Sequence, residues 1–187
     1  MHPQQQRLSP LWAIGALALL SPALASARRA PGSSMTEQPS TFEISARGRR
    51  LIADRLSSLG RRALLAERAT GAHLVVTSPG QIASRTVWTS TNLRPKPAGG
   101  GGPPALNWKI PRMMAADVVA LADLATGRVW AIAWKELAII PQQHSTRHHQ
   151  MIMVIEEGWT SPPHPRIRHD QFEHLLLERR VDELFGG

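Results

Sequence analysis

Apolar residues recur at helical spacing near the start of the body of the chain. In TFEISARGRRLIADRLSSLG, residues 41–60, Ile44, Leu51, Ile52, Leu56 and Leu59 share one face, which predicts a first helix. Thr41 is its expected N-cap and Gly60 its stop. The pattern then shortens to strand character. Residues 63–68 read as a strand, followed by two β runs at 72–77 and 82–91 around the turn Ser78-Pro79-Gly80-Gln81. Val75, Val76, Ile82, Val87 and Trp88 supply the β-branched and aromatic side chains that suit a half-buried pleated surface. Residues 117–125 and 128–134 are two further apolar runs joined at Thr126-Gly127, a hairpin signal. The run VVALADL is nearly continuous, as expected of a strand covered on both faces. Trp134-Lys135-Glu136-Leu137 begins a short helix, and residues 150–155 (QMIMVI) are another strand. Pro162, Pro163 and Pro165 mark a loop. Residues 170–185 then form a closing amphipathic helix whose buried stripe is Phe172, Leu175, Leu176, Val181 and Leu184, with Asp170 as N-cap and Gly186 as stop.

One stretch breaks the pattern. Residues 93–112 contain five prolines and four consecutive glycines, which predicts a loop that packs neither as helix nor as strand. The whole order predicts an α/β (α+β sandwich) fold, a central mixed β-sheet flanked by an N-terminal and a C-terminal helix. The runs 74–76, 118–121 and 129–132 are expected to be adjacent strands of that sheet, with Leu51, Leu56 and Leu175 packed on it. There is no internal repeat.

Of the 187 residues, 42% are hydrophobic and 19% charged, which places the body among globular chains with one domain's worth of core. No cysteine is present, which excludes a disulfide framework and a thiolate zinc site. Residues 1–34 have the marks of a secretory signal: Arg7, an apolar run at 11–20, and small residues at Ala23, Ala25 and Ala27. That run is too short to span a bilayer. The alternative is translated upstream sequence before a start at Met35. A basic body favours the second reading, a single domain at 35–187 in the cytoplasm, with export as the other outcome.

The net charge of +8 is unevenly placed. Residues 44–112 hold twelve Arg or Lys against Asp54 and Glu67, a net of +10, while residues 156–187 carry a net of −3. That layout points to a polyanionic partner for the first half, DNA rather than RNA, with no membrane partner. The candidate contacts are Arg47, Arg49, Arg50, Arg85, Arg94, Lys96, Lys109 and Arg112. Trp108, among the cations of the 93–112 stretch, either stacks on a base or tucks back onto the core.

The phrases GAHLVV, RTVWTST, ADVVALADLATGRVWAIAWKEL and RHHQMIMVI resemble the PD-(D/E)XK nuclease superfamily. This is the restriction-endonuclease-like fold, and the small bacterial endonuclease-like and Holliday-junction-resolvase-like members are the most similar. The resemblance implies a hairpin that carries an Asp and a second acid around Mg²⁺, with a Lys two residues later orienting the water. At the matching positions stand His73, Thr86 and Trp88, and the helix acid of resolvase-like relatives matches Arg49. None can do the chemistry, so the implied function is a nuclease-like nucleic-acid-binding domain without catalysis, cofactor or metal. The alternative is a divergent Mg²⁺-dependent endonuclease whose acids are Glu43, Glu67 or Asp117.

Other constellations are thinner. His144 and His148 in HSTRHH stand at a spacing that would suit zinc if helical, but the following residues read as strand. Ser78, Ser84 and Ser161 lack a nucleophile-elbow context, and the glycine run 99–102 lacks the strand-to-helix setting of a phosphate loop. Trp88, Trp130 and Trp134 read as core.

Overall fold

The computed structural model describes residues 38–66, 71–97, 102–155 and 169–186. The N-terminal stretch 1–34, Glu67 and the proline loop at 162–165 lie outside the described residues. The first helix, α1, spans Thr41–Ser58. Its N-cap is Ser40 rather than Thr41. Ser40 Oγ accepts from the Glu43 backbone N–H at 3.2 Å, while the Glu43 carboxylate accepts from the Ser40 N–H at 2.7 Å. This reciprocal box satisfies two backbone donors, which a Thr41 cap would not have done. Gly60, at φ +75°, then turns the chain.

Among the described residues nine strands follow: β1 (Arg62–Leu65), β2 (Leu74–Thr77), β3 (Arg85–Asn92), β4 (Lys96–Pro97), β5 (Pro104–Pro111), β6 (Val118–Asp123), β7 (Arg128–Ala133), β8 (Gln143–His144) and β9 (His148–Val154). They form a five-stranded sheet in the order β1-β2-β3-β6-β7 and a four-stranded sheet in the order β4-β5-β9-β8. The first is mixed, with β3 and β6 parallel and the other pairs antiparallel. The runs at 118–121 and 129–132 are neighbours as expected, whereas β3 stands between β2 and β6.

The stretch 93–112 is the largest correction. It holds β4 and all of β5, and β5 pairs with β9 from Ala105↔Val154 to Pro111↔His148. Pro95 and Pro97 lie before and within β4, Pro103 lies just before β5, and Pro104 and Pro111 are the first and last residues of β5. Between them Leu106, Trp108 and Ile110 alternate inward as buried residues, the period-two signature of a half-buried strand.

This second sheet makes the molecule three layers deep. On one face of the first sheet lie α1 and the closing helix α2 (Leu177–Phe185), which cluster Ile52 and Leu56 with Val118, Ala120, Val181 and Phe185. On the other face lies the second sheet, where Leu106, Trp108, Met151 and Met153 meet Val119, Leu121, Trp130 and Ile132. β6 is buried at every residue, as its apolar run predicts. The two terminal helices therefore flank the central mixed sheet on one face.

The closing helix is also divided. A 3-10 turn at His169–Leu175 precedes α2, and between them Leu176 is extended (φ −56°, ψ 137°) and bridges to Trp130 on β7. Leu175 joins the cluster on the second-sheet side and Leu177 the cluster on the helix side. One extended residue thus carries the chain across the edge of β7, which an unbroken helix capped at Asp170 could not do. Arg180, buried, anchors α2 through a bidentate contact to Glu136 (2.7 and 3.0 Å), while Glu183 of the same helix holds its guanidinium in place (2.6 and 3.0 Å).

α1 crosses β3 closely at Gly48. A Cβ there would lie 1.8 Å from Thr91 Oγ1 and 2.7 Å from Thr91 Cβ. Gly48→Ala is expected to destabilise by about 1–3 kcal/mol through overpacking. Pairing it with Thr91→Ala should recover part of the loss, and equilibrium unfolding of the four proteins in the cycle measures that coupling.

Candidate nucleic-acid interface

Seven residues, 78–84, separate β2 from β3, so β3 starts at Arg85 rather than at Ile82, which is fully exposed. The longer connection decides which residues meet. Leu74 pairs with Val87 and Val75 with Thr86. His73 therefore comes against Trp88, the rings stacked with centroids 5.6 Å apart and planes at 28°. Thr86 stands away from both and is tied to Asp117, whose Oδ2 accepts from the Thr86 N–H and hydroxyl, each at 2.7 Å.

His73 Nδ1 accepts from the Thr89 N–H at 3.0 Å and lies 2.8 Å from the Thr89 hydroxyl. Burial, with the Arg49 charge on α1 nearby, pushes the imidazole below its ordinary range and holds it neutral. An Mg²⁺ ion does not fit this place. The one unprotonated ring nitrogen is already used, Trp88 covers the ring, and a hard cation takes carboxylate and carbonyl oxygens. Two of the three acids of the divergent-enzyme alternative are committed elsewhere, and Glu67 lies outside the described residues. Glu43 closes the α1 capping box, where bonds from Ser40 hold its carboxyl low, and Asp117 holds Thr86.

A concavity lies one step along β3. Trp88, Ser90 and Asn92 project from one face of the strand by period-two alternation, opposite the face whose Thr91 meets α1. Ser90 and Asn92 form one side of a groove of about 620 Å³. Its other side is the outer face of the second sheet: Lys96 and Pro97 of β4, Ala105, Asn107 and Lys109 of β5, Gln143 of β8, and Gln150 and Ile152 of β9. The inward turn of Leu106, Trp108 and Ile110 is what sends Asn107 and Lys109 outward. Asn92 Nδ2 donates to the Asn107 carbonyl at 3.1 Å and joins the end of β3 to β5. The lining contains two lysines, four side-chain amides and no carboxylate. Neither lysine has an ion-pair partner among the described residues.

The other expected cations divide. Arg47 and Arg50 ride exposed on α1, in the layer across the first sheet from the groove, and Arg49 is half-buried near His73. Arg94 is exposed between β3 and β4. Arg85 lies 3.9 Å from Asp117, and Arg112 donates to the Ser145 carbonyl at 3.1 Å. Trp108 is buried, so the core reading holds and the stacking reading falls. Ser90, Asn92, Asn107, Gln143 and Gln150 were missed as site residues. For Asn107 the signal existed, in the alternation of ALNWKI.

The histidine run is not helical. β8 and β9 form a tight hairpin in which His144 pairs with His149, not His148, with their Nδ1 atoms 2.7 Å apart and the rings edge to face. Burial, then the charges of His144, Arg112 and His148, push the His149 imidazole down. Among the described residues no group of three or more His, Asp or Glu side chains converges as a metal site.

No protein-family model matches the chain. No curated protein matches its sequence either. Among solved structures, a bacterial homing endonuclease superposes with a TM-score of 0.49 and 11% identity, covering 68% of this chain and 86% of that one.

Proposed function

We propose that this chain binds nucleic acid, duplex DNA before RNA, in the groove between β3 and the second sheet, and does not cleave it. The observation that carries the reading is the groove lining, where Lys96 and Lys109 stand among neutral amides with no acid among the described lining residues. Two unpaired ammonium groups in an acid-free concavity attract a polyanion, and the net +10 of residues 44–112 adds a long-range field of the same sign. The resemblance to PD-(D/E)XK nucleases in the hairpin agrees with a nucleic-acid ligand. The occupied His73 nitrogen and the stacked Trp88 argue against metal-assisted hydrolysis, so binding requires no cofactor. A DNA partner favours the cytoplasm as the compartment where the protein works.

The test is a series of anisotropy titrations of a duplex over a range of salt concentrations. Log K is expected to fall linearly with log salt, and Lys96→Ala with Lys109→Ala should flatten the slope by about 1.8, at about 0.9 per phosphate contact. Arg47→Ala with Arg50→Ala should change it less, because those side chains lie across the first sheet from the groove. The reverse ranking moves the interface to α1. Salt-insensitive binding, or none at low salt, sinks the reading, and metal-dependent cutting of plasmid in the same samples sinks its second half.

A further inference from the structure

We infer that the groove also reads base identity, with Asn107 and Gln150 selecting adenine by its major-groove edge. The inference rests on the binding function proposed above and adds sequence preference to it. Asn107 and Gln150 are diagonal neighbours on β5 and β9, since Asn107 faces Ile152 and Lys109 faces Gln150 in register. Gln150 Nε2 donates to Asn107 Oδ1 at 3.1 Å. The Asn107 backbone is held in turn by Asn92. That mutual bond uses one donor and one acceptor. It leaves the Asn107 amide NH₂ and the Gln150 carbonyl facing the groove without a side-chain partner among the described residues. Turning both amides over exchanges their roles and still leaves one donor beside one acceptor.

Adenine presents the matching set, the N7 acceptor and the N6 amino donor. Guanine presents N7 and O6, both acceptors, so the free carbonyl would face O6 with no hydrogen between them. Ile152, across from Asn107, offers an apolar contact of the kind a thymine methyl takes. Lys96 and Lys109 are then left for the flanking phosphates, which position the duplex without reading it. β5 and β9 are the two long inner strands of the second sheet, and β4 and β8 add only two residues each at its edges.

The experiment selects binding sites for the full chain from a random duplex library, then titrates the enriched site and versions with single A·T to G·C changes. At least one such change is expected to weaken binding on the order of ten-fold. Asn107→Ala with Gln150→Ala should abolish that preference while keeping the salt slope of the wild type. Gln150→Lys, which replaces an acceptor by a donor, should shift the preferred base toward guanine, a gain that misfolding cannot produce. Duplex binding with no base preference overturns the inference and leaves the proposed function standing. Adenine preference that persists in the double variant also overturns it. Tighter binding of single-stranded RNA than of any duplex overturns the duplex assignment. No binding of duplex DNA at low salt removes the inference together with the function it rests on.

Discussion

Trp108→Ala is expected to destabilise the protein by about 3–5 kcal/mol, the range for deleting a fully buried large aromatic side chain. Trp108 is only 1% exposed and packs edge-to-face on Trp130 with centroids 5.7 Å apart. It sits at the centre of the cluster that fastens the second sheet to the first, against side chains of β6, β7 and β9. Removing it leaves a hole bounded by two sheets, which collapse poorly because each is held by its own ladder. Its indole N–H is buried without a hydrogen-bond partner among the described residues, so Trp108→Phe keeps much of the packing, removes an unpaired donor and should cost far less than the alanine variant. Urea unfolding of the three proteins measures both numbers. A loss under 1 kcal/mol for alanine would mean that residues 104–111 are an insertion resting loosely on the body.

Leu56→Ala is the second large effect, about 2–5 kcal/mol. Leu56 is wholly buried on the face where α1 meets the first sheet, among Val76, Val118 and Val129. α1 is held to that sheet by a narrow stripe: Gly48, Ile52 and Leu56 are its buried residues. The spacing is four, so a single truncation removes one of three successive contacts along the same line. The control is Arg47→Ala on the exposed side of the helix, expected to change stability by less than about 0.5 kcal/mol. Similar losses for both variants would show that the helix is stabilised by its own propensity and not by docking.

The helix face and the interior strands were legible in the sequence because each is a local matter. Ile52 and Leu56 recur at the period that one buried helical face demands, and VVALAD has the unbroken apolarity that a strand covered on both sides demands. That His73 and Trp88 supply neither a carboxylate nor a lysine was equally legible, since side-chain identity holds whatever the surroundings. The second sheet was hidden by composition. Prolines at the ends of β5 and the glycine run before it outweighed the alternation of Leu106, Trp108 and Ile110, and pairing with β9 over forty residues away has no local signature. The same distance hid the groove. Asn107 and Gln150 become bonded neighbours only when β5 and β9 lie in register, and His144 meets His149 rather than His148 only when β8 folds back on β9. The meeting of His73 with Trp88 depended on the length of the connection before β3, because a shift of register moves every partner along the strand. Residue chemistry and local period were thus set by the chain itself. Which amides, lysines and imidazoles face one another was decided by long-range strand pairing, whose register is settled only by the core beneath it.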